Sequence, residues 1–144
     1  MRIWGIGYTG ATTRSRRVQA NRLITDGPYA YLRNPLYVGN FLLSLGCCLI
    51  AWAWMPWMLV LFLTAFGLQY RLIVSLEEEE LERIFGEGYR SYALHVPRFF
   101  PRWFPYQEGE RVVPDFKKAL QSERSTFATI TGFLLLLFVR RILL

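Results

Sequence analysis

The chain has 144 residues, of which 53% are hydrophobic and 17% aromatic, and its formal net charge is +6. A soluble domain of this length would carry more charged and fewer aromatic residues, so the composition argues against a soluble globular protein. The basic balance suits anionic lipid headgroups, and no nucleic-acid-binding motif accompanies it, so we expect a membrane and no nucleic acid as a partner.

Residues 1–35 form a mixed, partly basic N-terminal segment. Residues 1–8 are weakly apolar and interrupted by glycines, which predicts a short apolar segment or a frayed terminus. No signal peptide is expected, because residues 1–21 lack an apolar stretch followed by a small-residue cleavage site. Arginines at positions 14, 16, 17 and 22 then predict a loop at the level of the lipid headgroups.

The stretch from Asp26 to Gly39, DGPYAYLRNPLYVG, lies directly before a long apolar region. It combines Gly27, Pro28 and Pro35 with three tyrosines and one cation, Arg33. Soluble turns rarely join such rigidity and aromatic surface to a single positive charge at a membrane border. We therefore expect this stretch to form one wall of a cofactor site.

Residues 36–76 are almost uncharged. This apolar stretch is too long for a single membrane crossing, which needs roughly 20 residues. Pro56 lies near the middle and disfavours helical geometry in the residue before it, and the tryptophans around it mark an interface. We predict two transmembrane helices, Leu36–Trp52 and Met55–Val74, that form a tight hairpin. The alternative, one long kinked helix in a soluble core, is disfavoured by the hydrophobicity.

Residues 77–106 contain a second candidate functional region. Glu77–Tyr92 is predicted to be a helix that leaves the bilayer, interrupted or ended by Gly86 and Gly88. Residues 95–106 hold three prolines and five aromatic residues, so they cannot form a regular helix. Their composition favours an extended segment that lies in the membrane interface.

The C-terminal part divides into a polar linker, residues 107–125, and an apolar helix, residues 126–144. A short surface helix is predicted at Pro114–Gln121. The uninterrupted apolar core, Phe127–Val139, predicts either a crossing with the two following arginines snorkelling or a helix in the interface. The whole chain is thus predicted to be a single all-α membrane domain, an integral helical bundle.

Charge distribution predicts the orientation of the hairpin. Both of its open ends carry charge and its tip carries none, so the positive-inside rule places both ends on the cytoplasmic face. Two sets of chemically capable residues then share that face, where they form a cytoplasmic-face cofactor site. The first set is Tyr29, Tyr31, Arg33, Asn34, Pro35, Tyr37 and Gly39. The second set is Glu77, Glu78, Tyr89, Tyr92, His95, Pro97 and Arg98.

Several other polar residues have simpler interpretations. Adjacent cysteines make a poor structural disulfide, so Cys47 and Cys48 are interpreted as small apolar helix residues, and no metal site is expected. Glu79 and Glu80 are interpreted as a solvated helix face. His95, the only histidine, is interpreted as a structural interface residue rather than a catalytic base.

Two motifs carry a resemblance to a known family. GPYAYLRNPLYVG resembles the GxYxxxRHPxYxG signature of the isoprenylcysteine carboxyl methyltransferase family and of its relatives among membrane lipid methyltransferases. The pattern EExxLxxxFGxxYxxYxxxVPR then matches residues 77–98 without a gap. The resemblance covers residues 26–101, and the hairpin between the motifs is also similar to that of the family.

The chain departs from the family pattern at two points. Asn34 stands where the eukaryotic enzymes have histidine, and an amide cannot act as an acid or a base near neutral pH. Family members usually have further transmembrane helices before the first motif. We therefore expect either a minimal member or a truncated one, and self-association is compatible with the missing helices.

The resemblance implies S-adenosylmethionine as the methyl donor and a lipid or prenylcysteine carboxylate in the membrane as the acceptor. No GxGxxG follows a strand, which excludes a Rossmann-type methyltransferase. Arg33 or Arg98 is expected to hold the donor carboxylate, and Glu77 or Glu78 its ammonium group or ribose. The predicted catalytic residues are Arg33, Asn34, Glu78 and Arg98. The predicted cofactor-binding residues are Tyr29, Arg33, Pro35, Tyr37, Gly39, Glu77, Glu78, Tyr89, Tyr92 and Pro97.

The expected reaction is an in-line displacement at the methyl carbon. A carboxylate acceptor is already ionised and needs no base, whereas an amine acceptor must first lose a proton. Two alternatives remain open from the sequence. One is an NADPH-dependent sterol-type membrane reductase, whose C-terminal helix arrangement is similar. The other is a membrane scaffold without catalytic activity.

Overall fold

The structure, a computed structural model, describes residues 1–9, 22–107 and 113–143. Within these ranges the chain forms helices and no β-strand, which confirms the predicted all-α class. In chain order the helices are α1 (Arg2–Thr9), α2 (Pro35–Ala51), α3 (Trp57–Phe85), α4 (Glu87–His95), α5 (Phe116–Ser122) and α6 (Arg124–Leu143). Arginines 14, 16 and 17 of the predicted basic loop lie outside the described residues.

Helices α2 and α3 form the predicted hairpin, and aromatic rings line their contact. The ring of Phe41 packs edge-on against that of Phe66 with centroids 5.2 Å apart, and Phe66 stacks on Tyr70 at 4.0 Å. Toward the open end, Asn40 donates a hydrogen bond of 3.1 Å to the Tyr70 hydroxyl. Each aromatic pair of this kind adds roughly 0.5–1.5 kcal/mol beyond the area it buries. Ring packing therefore fixes how the two helices align.

The turn of the hairpin follows from its local backbone. Helix α2 ends at Ala51 because Trp52 adopts a left-handed conformation with φ of 45°, and its N–H is bonded to the Cys48 carbonyl. Helix α3 begins at Trp57, directly after Pro56. The first predicted helix therefore matches within a residue at either end, whereas the second begins two residues later than predicted.

The predicted helix over Glu77–Tyr92 is observed as two helical parts that Gly86 divides, as the glycines indicated, and its first part is continuous with the membrane helix. Helix α3 continues without a break from the apolar stretch through the glutamates to Phe85, over 29 residues. The glutamate, leucine and arginine residues after Ser75 favour helix, and none of them breaks it. The helix ends only where Gly86 adopts a φ of +54°, which glycine tolerates better than other residues. Its polar end is thus a rigid extension of the membrane helix.

Helix α4 returns the chain toward the membrane border. Tyr89, Tyr92 and Val96 on one face are buried and pack against Leu81 and Phe85 of α3. The following residues to 107 contain no regular helix, as the prolines predict. A small apolar cluster therefore closes α3 and α4 into a second hairpin.

The N-terminal and C-terminal helices meet beside α2. Arg2 forms an ion pair of 2.7 Å with the buried Glu123 and donates a hydrogen bond of 3.3 Å to Thr126. Residues 2–9 are thus a packed helix and not a frayed end. The predicted surface helix is observed at Phe116–Ser122. Among the described residues, α3 and α6 are long and apolar enough to cross a membrane, whereas α2, with 17 residues, is shorter.

A candidate active site at the membrane border

The first motif folds into a rigid turn that delivers its polar residues to the start of α2. A 3-10 turn over Gly27–Ala30 begins with Gly27 at a φ of +60°, and the ring of Tyr8 lies where a side chain at this position would project. Leu32 is fully buried and anchors the turn. Pro35 occupies the first position of α2, where its missing N–H costs nothing. Arg33 and Asn34 are therefore held directly at the end of the helix.

Glu78 is the centre of the site. Only 7% of its surface is exposed, and its two oxygens bind three side chains. Oε1 accepts a hydrogen bond of 3.2 Å from Asn34 Nδ2. Oε2 accepts one of 2.9 Å from Arg98 Nε and lies 3.2 Å from Arg33 Nη1. One carboxylate of α3 thereby joins both motifs.

Backbone contacts fix the same arrangement. The Arg33 N–H donates to the Pro97 carbonyl at 2.9 Å, and Asn34 Nδ2 also donates to the Arg98 carbonyl at 3.3 Å. The Tyr92 hydroxyl donates to the Tyr29 carbonyl at 2.7 Å. The two motifs are thus joined by main-chain groups as well as by charge. The backbone bond between Arg33 and Pro97 does not depend on either side chain, so it would remain when a side chain of the site is substituted.

The cluster of Glu78, Arg33 and Arg98 carries one positive charge in excess, because two guanidinium groups face one carboxylate. The Arg33 side chain is 14% exposed, whereas that of Arg98 is 49% exposed. The Arg33 side chain is therefore largely buried and pairs with Glu78 beneath the protein surface. Arg98 presents part of its guanidinium to the outside, where it can bind an anion.

A second carboxylate lies beside this cluster. Tyr37 of α2 donates a hydrogen bond of 2.5 Å to Glu77 Oε1, and this pair is exposed. Glu77 therefore offers negative charge to the outside, one residue from the buried Glu78. The site presents both signs of charge at the same border, which is the pattern needed to hold a group with a carboxylate and an ammonium.

The tyrosines around the site act as neutral donors. Burial raises the pKa of Tyr89 to about 12, and the charge of Glu78 adds to the effect. Burial also raises the pKa values of Tyr29 and Tyr92 above the ordinary value of 10.0. The Nε of Arg33 and the hydroxyl of Tyr89 are buried, and neither makes a hydrogen bond of good geometry. These two atoms leave hydrogen-bonding capacity inside the site.

Most predicted site residues meet here, but some do not. Gly39 faces α1, where an added Cβ would lie 2.7 Å from Arg2 Cγ, so its observed role is helix packing. Glu79 is exposed and Glu80 pairs with Arg83, as expected for a solvated face. His95 is exposed, and its Nδ1 lies 2.8 Å from the Ser91 carbonyl oxygen.

The structure also contains a cavity that sequence reasoning missed. It has a volume of about 440 Å³ and lies against the first motif on the side of α1. Trp4, Tyr31 and Tyr106 contribute aromatic rings, and Asp26 contributes a carboxyl group. Such a volume lies within the usual range of small-molecule sites. Trp4 belongs to a segment with no recognisable motif, so no pattern in the sequence indicated it.

A second cavity, of about 420 Å³, lies between the two apolar helices α2 and α6. Its wall includes Leu43 and Cys47 from α2 and Thr129 and Phe133 from α6. Both cysteines are free thiols, in agreement with the interpretation of the pair as helix residues. Glu78 does not line this cavity.

Comparison with known proteins places these motifs in a family. A family model described as phospholipid methyltransferase matches residues 2–88, which include α1, the first motif, the hairpin and the glutamates. The resemblance found in the sequence is thereby confirmed. No solved structure matches the chain significantly.

Three similar proteins have different names. A cobalt-zinc-cadmium resistance protein of Cupriavidus metallidurans is 37% identical over 89 residues, which are 60% of this chain and 39% of that protein. The protein-S-isoprenylcysteine O-methyltransferase of Schizosaccharomyces pombe is 36% identical over 60% of this chain and 36% of its own length. The methanethiol S-methyltransferase of Crocosphaera subtropica is 36% identical over 54% and 28%. The chain thus spans about two fifths or less of each of these relatives.

Proposed function

Since this chain belongs to the phospholipid methyltransferase family, we propose that it transfers a methyl group from S-adenosylmethionine to a lipid or a lipid-modified carboxylate in the membrane. The observation that carries the proposal is the Glu78 cluster, where Arg33, Asn34 and Arg98 meet at the membrane border. Two relatives are named as methyltransferases, one an O-methyltransferase and one an S-methyltransferase. The family match also argues against the alternative of a sterol-type reductase.

The donor fits the charges that the chain presents. S-adenosylmethionine supplies an electrophilic methyl group on a positively charged sulfur, and its amino-acid end carries a carboxylate and an ammonium. Arg98 is the partly exposed cation and would hold the carboxylate by charge-assisted hydrogen bonds. Glu77 would hold the ammonium, because Glu78 is already bound by three side chains. Arg33 lies beneath and keeps Glu78, and through it Arg98, in place.

The tyrosines supply the remaining surface. Tyr37 orients Glu77 through its hydroxyl, and its ring packs against that of Tyr70 with centroids 4.8 Å apart. The hydroxyl of Tyr89 and the Nε of Arg33 provide buried hydrogen-bond donors toward the cluster. The cavity lined by Trp4, Tyr31 and Tyr106 offers aromatic surface of the kind that an adenine ring needs.

The chain's residues favour an acceptor that needs no base. Asn34 donates its amide hydrogens to Glu78 and to a carbonyl, so it positions groups and does not move a proton. His95 is exposed and bonded to its own helix. An ionised acceptor oxygen would be brought into line with the methyl group and shielded from water at the apolar border, which is where most of the rate gain would arise. The excess positive charge of the cluster would attract such a carboxylate.

Localisation and assembly belong to the same proposal. The chain would be an integral membrane protein whose donor site faces the cytoplasm, because the charged ends of the hairpin follow the positive-inside rule. Self-association into a homo-oligomer stays a prediction.

The experiment that tests the function is a methyl-transfer assay with the purified chain and labelled S-adenosylmethionine. Total membrane lipids and a prenylcysteine analogue are offered as separate acceptors. Arg98→Ala is expected to weaken donor binding by roughly tenfold to a hundredfold, since a charge-assisted hydrogen bond contributes about 1.5–3 kcal/mol. Arg90→Ala is the matched control, because Arg90 is exposed and pairs only with Glu82 and Glu87 in the described structure.

The outcomes separate the hypotheses. Donor binding and transfer to either acceptor support the proposal, and the acceptor that is labelled identifies its class. Binding of NADPH instead of the methyl donor would revive the reductase. Absence of both cofactor binding and turnover in the folded chain would favour the scaffold.

A further inference from the structure

The segment from Phe99 to Phe104 exposes large aromatic side chains next to the candidate site. Phe100 is 83% exposed, Trp103 93% and Phe104 76%. Single exposed apolar residues are ordinary, but a contiguous group of rings marks a surface that contacts another phase or molecule.

The height of the segment relative to the membrane follows from its contacts. It begins directly after Arg98, whose Nε is bonded to Glu78 of α3. Glu78 lies two residues beyond Leu76, the last residue of the apolar stretch, which is about 3 Å along the helix axis. The Arg98 carbonyl accepts from Asn34, which directly precedes α2. Phe99 therefore starts at the border where both helices of the hairpin leave their apolar region.

The segment is fixed at this height rather than frayed. The Arg102 N–H donates to the Tyr31 carbonyl at 3.0 Å, and the Tyr106 N–H donates to the Ala30 carbonyl at 2.9 Å. The Arg102 side chain also donates to the His95 carbonyl at 2.9 Å. The first two bonds attach its backbone to the first motif, and the third attaches the Arg102 side chain to the end of α4. The exposed rings between them are therefore held outward by the fold.

We propose that residues 99–104 are an interfacial anchor, inserted into the headgroup layer of the same bilayer that the α2–α3 hairpin crosses. Tryptophan collects in this layer, because the layer accepts an apolar ring beside polar groups. Phenylalanine and arginine occur together in segments that lie in the plane of the interface. The anchor is continuous with Arg98, so it seats the Glu78 cluster on the membrane surface. A lipid acceptor then meets the site without leaving the bilayer, which extends the proposed function, although the anchor itself does not require that activity.

The test measures the surroundings of Trp103 in the full chain. The protein and its Trp103→Phe variant are placed in phosphatidylcholine vesicles, and the difference between their fluorescence isolates Trp103. Quenching is compared for lipids brominated near the glycerol end of the acyl chain, lipids brominated near the chain end, and aqueous iodide. The expected result is strong quenching of Trp103 by the first lipid, weaker quenching by the second, and little quenching by aqueous iodide.

A matched control uses the hairpin tip. Trp57→Phe isolates Trp57 at the start of α3 in the same way, and both single substitutions conserve an exposed ring, so the fold is retained. Quenching of Trp103 by iodide alone would overturn the proposal, because the segment would lie in water. Protection from all three quenchers would also overturn it and would indicate a covering protein, such as a second copy. Strongest quenching at the chain end would place the segment in the hydrocarbon core and contradict an interfacial anchor.

Discussion

At the scale of single residues, Glu78 differs from its neighbours in the glutamate run. It is buried and binds Asn34, Arg33 and Arg98, whereas Glu79 is exposed and Glu80 pairs with the nearby Arg83. Removing one member of a buried ion cluster leaves the remaining charges without compensation, which is more costly than losing an exposed pair. The four glutamates therefore have different roles although they are identical in sequence.

Glu78→Gln is expected to reduce methyl-transfer turnover and to destabilise the fold by roughly 3 kcal/mol, because Arg33 and Arg98 would lose their shared counter-charge. Glu80→Gln is the matched control, and no measurable change is expected for it. Turnover and thermal unfolding in detergent check both variants. Equal effects of the two substitutions would contradict the central position given to Glu78.

The buried tyrosines predict a loss of stability at alkaline pH. Burial raises the pKa of Tyr89 from 10.0 to about 12, so the unfolded chain ionises first as the pH rises. The stabilisation is complete below pH 10.0 and is lost progressively toward pH 12. Tyr89→Phe should make this decline shallower by about 1.4 kcal/mol per pH unit. Thermal unfolding across this range measures it, and an unchanged slope would refute the prediction.

At the scale of secondary-structure elements, α3 connects the membrane to the chemistry. One helix carries both the aromatic contact with α2 and the glutamates of the candidate site. A shift of the hairpin is therefore transmitted directly to Glu77 and Glu78. Helix α1 contributes from the other side, since it packs against α2 where Gly39 leaves room for Arg2.

Two glycines of α2 give a matched test of this packing. An added Cβ at Gly39 would lie 2.7 Å from Arg2 Cγ and 3.2 Å from the Arg2 backbone nitrogen, while one at Gly46 would meet nothing within 4 Å. Gly39→Ala should displace α1 and lower the melting temperature. Gly46→Ala should be neutral or stabilising by up to about 1 kcal/mol, because alanine favours helix over glycine. Similar changes in both melting curves would show that α1 does not rest on Gly39.

At the scale of the whole molecule, the fold brings the first motif and residues 77–106 to one end of the hairpin. The backbone bond from the Arg33 N–H to the Pro97 carbonyl and the bond from the Tyr92 hydroxyl to the Tyr29 carbonyl establish this shared end directly. Charge predicts that this end faces the cytoplasm. The C-terminal helix α6 is long and apolar enough for a further crossing, which is one of the two alternatives that the sequence left open for residues 126–144.

Cysteine labelling tests the orientation. In a background with Cys47→Ser and Cys48→Ser, single cysteines are introduced as Glu87→Cys in α4 and Ala53→Cys at the hairpin tip. A membrane-impermeant maleimide should label position 87 from the cytoplasmic side and position 53 from the opposite side, since the hairpin crosses between them. Labelling of both positions from one side would show that the hairpin does not span the bilayer.

The sequence by itself determined the helical membrane class, the hairpin and the two motifs, because hydrophobicity, proline positions and motif spacing are local properties of the chain. It also predicted that polar residues of the two motifs would lie close together, as Arg33, Asn34, Glu78 and Arg98 do. Only the tertiary structure decided that Glu78 rather than Glu77 is the shared partner of both arginines, and that Gly39 packs against α1. It also showed that Trp4 lines a cavity with Tyr31. These outcomes depend on the rotation of each helix about its axis and on contacts between distant segments, which ring packing and backbone hydrogen bonds fix only in the folded chain.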